Sequence, residues 1–115
     1  MKEVVVMAGR HEFITLEKDC YIDIDRSLII KNEQQIPLSR LELRLLQRLA
    51  RNMGEVVPFN TLIAHVWCSD EECGYFDIQK LHVFIYRLRS KIEDNPQQPK
   101  YIVRARKLGY VLNQK

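Results

Sequence analysis

The side chains with chemistry to offer are cationic, and they crowd toward the C-terminus. From residue 76 onward the chain carries Lys80, Arg87, Arg89, Lys91, Lys100, Arg104, Arg106, Lys107 and Lys115 against Asp77, Glu93 and Asp94, a net charge of +6, while residues 1–75 sum to −3. The formal charge of the whole chain, +3, would not indicate a polyanionic partner. Its placement does, because an anion would collect on the last third. Spacing then divides these cations into two groups. Lys80, Arg87, Arg89 and Lys91 are interleaved with Ile78, Leu81, Ile85, Leu88 and Ile92, whose steps of 3, 4, 3 and 4 mark the apolar stripe of a helix. Arg104, Arg106 and Lys107 lie between Tyr101-Ile102-Val103 and Gly109-Tyr110-Val111-Leu112, two strand-like runs that read as a hairpin with a basic tip.

Other chemistries find little support. There is no glycine-rich phosphate loop, no nucleophile-elbow pattern and no carboxylate pair in an evident pocket, so neither an enzyme nor a bound cofactor is expected. Cys68, Cys73, His65 and His82 flank one stretch of chain, but their spacing is a loose match to structural zinc patterns. With Cys20 they make an odd, irregular cysteine set, which suits reduced thiols in a reducing compartment. The longest apolar runs, such as Val4 to Ala8, are too short for a membrane span or a signal peptide, so the expected location is cytoplasmic.

The elements that must position the cations follow from local patterns. At 115 residues, 46% apolar and 29% charged, the chain suits one globular domain. Its first third alternates apolar and polar residues at Phe13–Leu16, Tyr21–Asp25, Leu28–Lys31 and Gln35-Ile36, with turn residues at 25–27 and 32–34, which predicts an antiparallel meander. Ser39-x-x-Glu42 is a capping box opening a first helix, with Leu38 and Leu43 placed as its staple and Leu41, Leu45, Leu46 and Leu49 as its stripe. Asn52-Met53-Gly54 stops that helix, and Val56-Val57 reads as an apolar link. A second helix is predicted over 58–67, burying Leu62, Ile63, Val66 and Trp67. An acidic surface loop over 68–75 and a third helix over 76–93 follow.

The expected fold is therefore α+β: an N-terminal antiparallel sheet, three helices and a C-terminal β-hairpin, the layout of a winged helix-turn-helix. From about Asp19 to Leu112 the chain resembles the DNA-binding effector domain of the OmpR/PhoB family of bacterial response regulators. The resemblance rests on Leu38-Ser39-x-x-Glu42-x-x-Leu45-Leu46, Gly54-x-Val56-Val57, Leu62-x-x-x-Val66-Trp67, Val83-x-Ile85-x-x-Leu88-Arg89-x-Lys91-Ile92, and Tyr101-Ile102 with Arg106-x-x-Gly109-Tyr110. Each motif is weak alone; their order and spacing are specific together. Residues 19–115 are accordingly expected to be the domain, and 1–18 an N-terminal extension with candidate extra strands, too short for a phosphorylatable receiver domain. The start at Met1 and those candidate strands favour a stand-alone regulator over an excised effector.

With Leu81, Ile85 and Leu88 facing inward, Gln79, Val83, Tyr86, Arg87 and Ser90 fall on the outer face of the third helix, where a major groove would meet them. Arg87 is the first candidate for a base contact, since its planar fork matches guanine O6 and N7. The resemblance implies the same slot, with Gln79, Phe84, Tyr86 and Arg89 as neighbouring contacts. Lys80 and Lys91 are expected on phosphates. In the wing the resemblance implies Arg106 in the minor groove, Arg104, Lys107 and Tyr110 on phosphates, and Trp67 on the DNA backbone through its indole N–H. It further implies a homodimer on double-stranded DNA and contact of the 68–75 loop with RNA polymerase. Where this family commonly has Asp, His, Thr and Gly, the chain has His82, Phe84, Arg104 and Lys107, so its operator preference is its own. The competing expectation is a winged-helix protein-interaction module that leaves DNA alone, which a flat salt dependence of duplex binding would favour.

Overall fold

The computed structural model describes residues 5–8, 11–67 and 75–115. The expected loop over 68–75 falls almost wholly outside the described residues, as do Val4, Cys68 and Cys73.

Five strands follow one another, each antiparallel to the next: β1 (Val5–Ala8), β2 (His11–Glu17), β3 (Cys20–Asp23), β4 (Leu28–Lys31) and β5 (Gln34–Pro37). Alternation decides which face is covered. Ile14, Leu16, Cys20, Ile22 and Ile29 are buried, while their neighbours Phe13, Thr15, Tyr21 and Ile30 stay partly exposed. Between β4 and β5 the two-residue turn Asn32-Glu33 has φ of 49° and 70°, the left-handed pair that matches the twist of a tight hairpin.

Helix α1 (Arg40–Ala50) starts with the full capping box: Ser39 Oγ accepts from the Glu42 amide at 3.1 Å, and Glu42 Oε1 accepts from the Ser39 amide at 2.8 Å. Leu45, Leu46 and Leu49 are wholly buried, each contributing on the order of 2 kcal/mol of apolar burial. Gly54 takes the left-handed conformation, φ 81°, and its amide donates to the Leu112 carbonyl at 2.8 Å, so the turn after α1 is tied to the last strand.

The stretch expected as a mere link contains a strand. β6 (Val57–Pro58) pairs with β8 (Gly109–Leu112), which pairs with β7 (Ile102–Ala105), giving a three-stranded sheet in the order β6-β8-β7. Two residues carry no strand periodicity of their own; β8 supplies the template. Gly109 makes the approach possible, because a Cβ there would lie 2.7 Å from the Val57 carbonyl carbon and 2.9 Å from Pro58 Cα.

Helices α2 (Phe59–Trp67) and α3 (Tyr75–Ile92) complete the layer over the N-terminal sheet. Leu62, Ile63 and Val66 of α2 meet Leu81, Ile85, Leu88 and Ile92 of α3 in one core shared with α1 and β8, and Trp67 packs at its edge. The C-terminal end of α3 is pinned to the sheet by Lys31, whose Nζ donates to the Ile92 carbonyl at 2.9 Å and pairs with Asp94 at 2.6 Å, a cation where the helix dipole is negative. The architecture is a winged helix-turn-helix preceded by an antiparallel sheet. Among the described residues no helix is long and apolar enough to cross a membrane.

Candidate nucleic-acid interface

Helix α3 presents two unlike faces. Leu81, Ile85, Leu88 and Ile92 are fully buried, whereas Gln79, Lys80, Val83, Tyr86, Arg87 and Ser90 are exposed. Val83 and Tyr86, at 51% and 52% exposure, are large side chains that the fold leaves uncovered in the middle of this face. Arg87 stands beside them.

The wing is braced against the same helix. Arg89 Nε donates to the Ile102 carbonyl at 2.9 Å, and its guanidinium lies 5.6 Å from the centre of the Tyr110 ring. Tyr110 is 2% exposed, and its hydroxyl meets His82 Nδ1 at 2.6 Å. Phe59 stands edge-on to both rings, and the Arg104 guanidinium lies 5.7 Å from the Phe59 ring. These contacts place β7, β8 and α3, from His82 to Arg89, side by side. Burial and the nearby Arg104 and Arg89 hold the His82 imidazole below its usual range, while burial pushes the Tyr110 phenol up against the opposing pull of the two guanidiniums. At the tip Arg104 Nε donates to the Arg106 carbonyl at 2.9 Å, Arg106 itself has φ 43°, and Arg104, Arg106 and Lys107 are exposed.

A third group surrounds the end of α2. The Trp67 and Phe84 rings meet edge-to-face at 5.3 Å, and Lys80 Nζ sits 4.6 Å from the centre of the indole. Phe84 is thus half-buried against Trp67 instead of standing on the open face.

Residues 33–112 match the family described as "Transcriptional regulatory protein, C terminal". The chain belongs to this family. Among its relatives is the "Probable transcriptional regulator ycf27" of Galdieria sulphuraria, 39% identical over 90 residues, a match spanning 78% of this chain and 35% of the relative. Among solved structures, the response regulator DrrB of Thermotoga maritima, an OmpR/PhoB homolog, matches 97% of this chain and 45% of its own at 26% identity, with a TM-score of 0.72. The chain therefore spans about a third of the curated relative and less than half of DrrB. The DNA-binding domain of Klebsiella pneumoniae RstA, solved in complex with its RstA box, matches 88% of this chain and 96% of its own at 23% identity, with a TM-score of 0.74. The OmpR/PhoB resemblance carried by the sequence motifs agrees with the family match and with DrrB, an OmpR/PhoB homolog.

Within this family frame, the candidate residues sort by what holds them. Gln79, Val83, Tyr86 and Arg87 on α3, and Arg104, Arg106 and Lys107 on the wing, stand at the surface. Lys80, Phe84 and Trp67 engage one another, and Arg89 and Tyr110 brace the wing. Lys91, expected on a phosphate, is engaged within the fold: its Nζ donates to Glu42 Oε1 at 2.7 Å and to the Pro37 carbonyl at 3.0 Å, linking α3 to the start of α1. Burial alone would raise the Glu42 carboxyl, but the Lys91 and Ser39 hydrogen bonds outweigh it and keep that carboxyl below its ordinary value.

Two positioning residues were missed in the sequence. Glu93, counted there only as an opposing charge, is 5% exposed and accepts from the amides of Lys100 at 2.8 Å, Tyr101 at 3.1 Å and Ile102 at 2.8 Å, so it caps the turn that delivers β7. Phe59 is the hub under the helix and wing. No spacing rule reports either, since both partners lie across turns or in other elements. Among the described residues no group of three His, Cys, Asp or Glu side chains could hold a metal ion.

Proposed function

We propose that this domain binds double-stranded DNA sequence-specifically as the output module of a cytoplasmic bacterial transcription regulator, with α3 in a major groove and the β7–β8 wing at the adjacent minor groove. The observation that carries this reading is the pairing of an uncovered α3 face, centred on Val83, Tyr86 and Arg87, with an exposed basic wing held against the same helix. Family membership and the DNA complex of the RstA domain support it. In this reading Arg87 reads a base through its bidentate fork, aided by Gln79, Val83 and Tyr86. Arg106 enters the minor groove, and Arg104, Lys107 and Lys80 contact phosphates. Trp67 and Phe84 support the α2–α3 edge, while Arg89, Tyr110 and Lys91 hold the elements in register. Pairing of two copies on neighbouring half-sites, and contact of the 68–75 segment with RNA polymerase, belong to the same reading through the family resemblance.

The test is selection of bound sites from a random duplex pool, followed by titration of the selected site and an unrelated duplex. Arg87→Ala should cost about 1 to 3 kcal/mol on the selected site and little on the unrelated duplex, erasing the preference. Lys107→Ala should weaken both about equally and reduce the salt dependence. Equal losses on both duplexes for both variants would overturn this division of roles, and affinity indifferent to salt would overturn DNA binding itself.

A further inference from the structure

His82 stands between α3 and the wing, bonded to Tyr110 of β8. A duplex with α3 in one groove and the wing at the next is crossed, between the two, by the sugar-phosphate strand that divides those grooves. Around that gap stand His82 and Arg89 on α3 and Arg104 on β7, with Tyr110 of β8 and Phe59 of α2 buried beneath them. The charged groups acting on the imidazole are Arg104 and Arg89, the titratable partner is the Tyr110 phenol, and α2 brings Phe59, which carries no charge. Nδ1 is committed to the Tyr110 hydroxyl at 2.6 Å. Nε2 is therefore the nitrogen left for a ligand on this part-exposed ring.

We propose that His82 is a proton-linked phosphate contact: it takes up one proton from solvent as a backbone phosphate seats between α3 and the wing. The physical reason is a change in the sign of the local field. In the free domain burial disfavours the imidazolium, and the Arg104 and Arg89 guanidiniums add to that. A phosphate placed in the gap answers all three cations, so the imidazolium becomes the favoured form, with Nε2–H donating to a phosphate oxygen and Nδ1–H donating to Tyr110. This rests on the DNA-binding reading above and adds a pH dependence that a purely structural histidine would not produce.

The experiment is anisotropy titration of a labelled duplex at fixed salt from about pH 5.5 to 8.5 with the wild-type chain, His82→Gln and His65→Gln. Wild-type affinity should fall as pH rises, by at most about tenfold per pH unit because one proton is linked. His82→Gln should bind with affinity nearly independent of pH, and His65→Gln should keep the wild-type slope. As a measurement that needs no variant, the His82 ring resonance in the wild-type chain should titrate at higher pH in the complex than in the free domain. A wild-type slope of zero, a slope retained by His82→Gln, or identical titration of the free and bound ring would each overturn the proposal. Absence of binding at every pH would instead bring down the DNA-binding reading, and the role of His82 with it.

Discussion

Replacing Glu93 should damage the domain more than any loss of surface charge could. Its carboxylate accepts three backbone amides, those of Lys100, Tyr101 and Ile102, from a position 5% exposed. A buried amide deprived of its acceptor costs about 1 to 3 kcal/mol, so Glu93→Ala should cost about 3 to 6 kcal/mol once some water has entered the turn. Against the roughly 5 to 15 kcal/mol stability of a typical domain, that is a large share. Glu93→Gln keeps one acceptor oxygen and turns an NH2 toward an amide N–H, so it should fall between, at about 2 to 3 kcal/mol. Urea unfolding followed by Trp67 fluorescence measures both, with a shifted midpoint and an unchanged slope. Exchange of the three amides should accelerate in the Gln variant. The losses should be nearly independent of salt, because neutral amides and not distant charges are involved. A Glu93→Ala variant within about 0.5 kcal/mol of wild type, or a loss that disappears at high salt, would refute the reasoning.

Three further outcomes follow from the same structure. Gly109→Ala drives a Cβ against the backbone of Val57 and Pro58, so β6 must separate from β8; a loss of about 2 to 4 kcal/mol in thermal or urea unfolding is expected, and full wild-type stability would show that β6 is dispensable. Lys91→Met leaves the buried Glu42 carboxylate without its cation and should cost about 1 to 2 kcal/mol at neutral pH. Because the Glu42 carboxyl is held below its ordinary value, its contribution is present at neutral pH and lost as pH falls through the folded value, so the same variant should flatten the acid limb of the stability curve. His65 and His82 are both held below the usual histidine range, so the unfolded chain takes up their protons first and stability should decline as pH drops through that range; His65→Gln should remove part of this slope, and an unchanged slope would count against the cause assigned.

What could be read in the sequence was whatever depends on spacing within one element. The capping box at Ser39 and Glu42, the leucine stripe of α1 and the outward placement of Val83, Tyr86 and Arg87 are consequences of helical periodicity, and the structure has each of them. What escaped was decided by partners far along the chain. Val57-Pro58 is a strand because Gly109 lets β8 come close, and Lys91 is occupied because Pro37 and Glu42 stand opposite it. In each case the residue type was visible, and its partner was not.

That division bears on how helix and wing cooperate. Three links hold the wing to α3 and its C-terminal turn: Glu93 on the amides entering β7, Arg89 on the Ile102 carbonyl, and His82 on the Tyr110 hydroxyl. All exist in the free domain, so the distance between the exposed face of α3 and the tip at Arg106 is set before any ligand arrives. Little ordering cost then falls on association, which favours affinity for a given set of contacts. It also means that residues of two kinds would look alike in an alanine scan of binding. Arg87 and Lys107 can be truncated with the frame intact, whereas Arg89→Ala removes a brace and displaces the contacts of every other wing residue. Coupling separates the kinds: Arg89→Ala combined with Arg106→Ala should be strongly non-additive in DNA affinity, because a misplaced wing has little left for Arg106 to contribute. Arg87→Ala combined with Lys107→Ala should add to within about 0.5 kcal/mol. Additivity in both pairs would mean that the wing finds its place on the ligand and not beforehand.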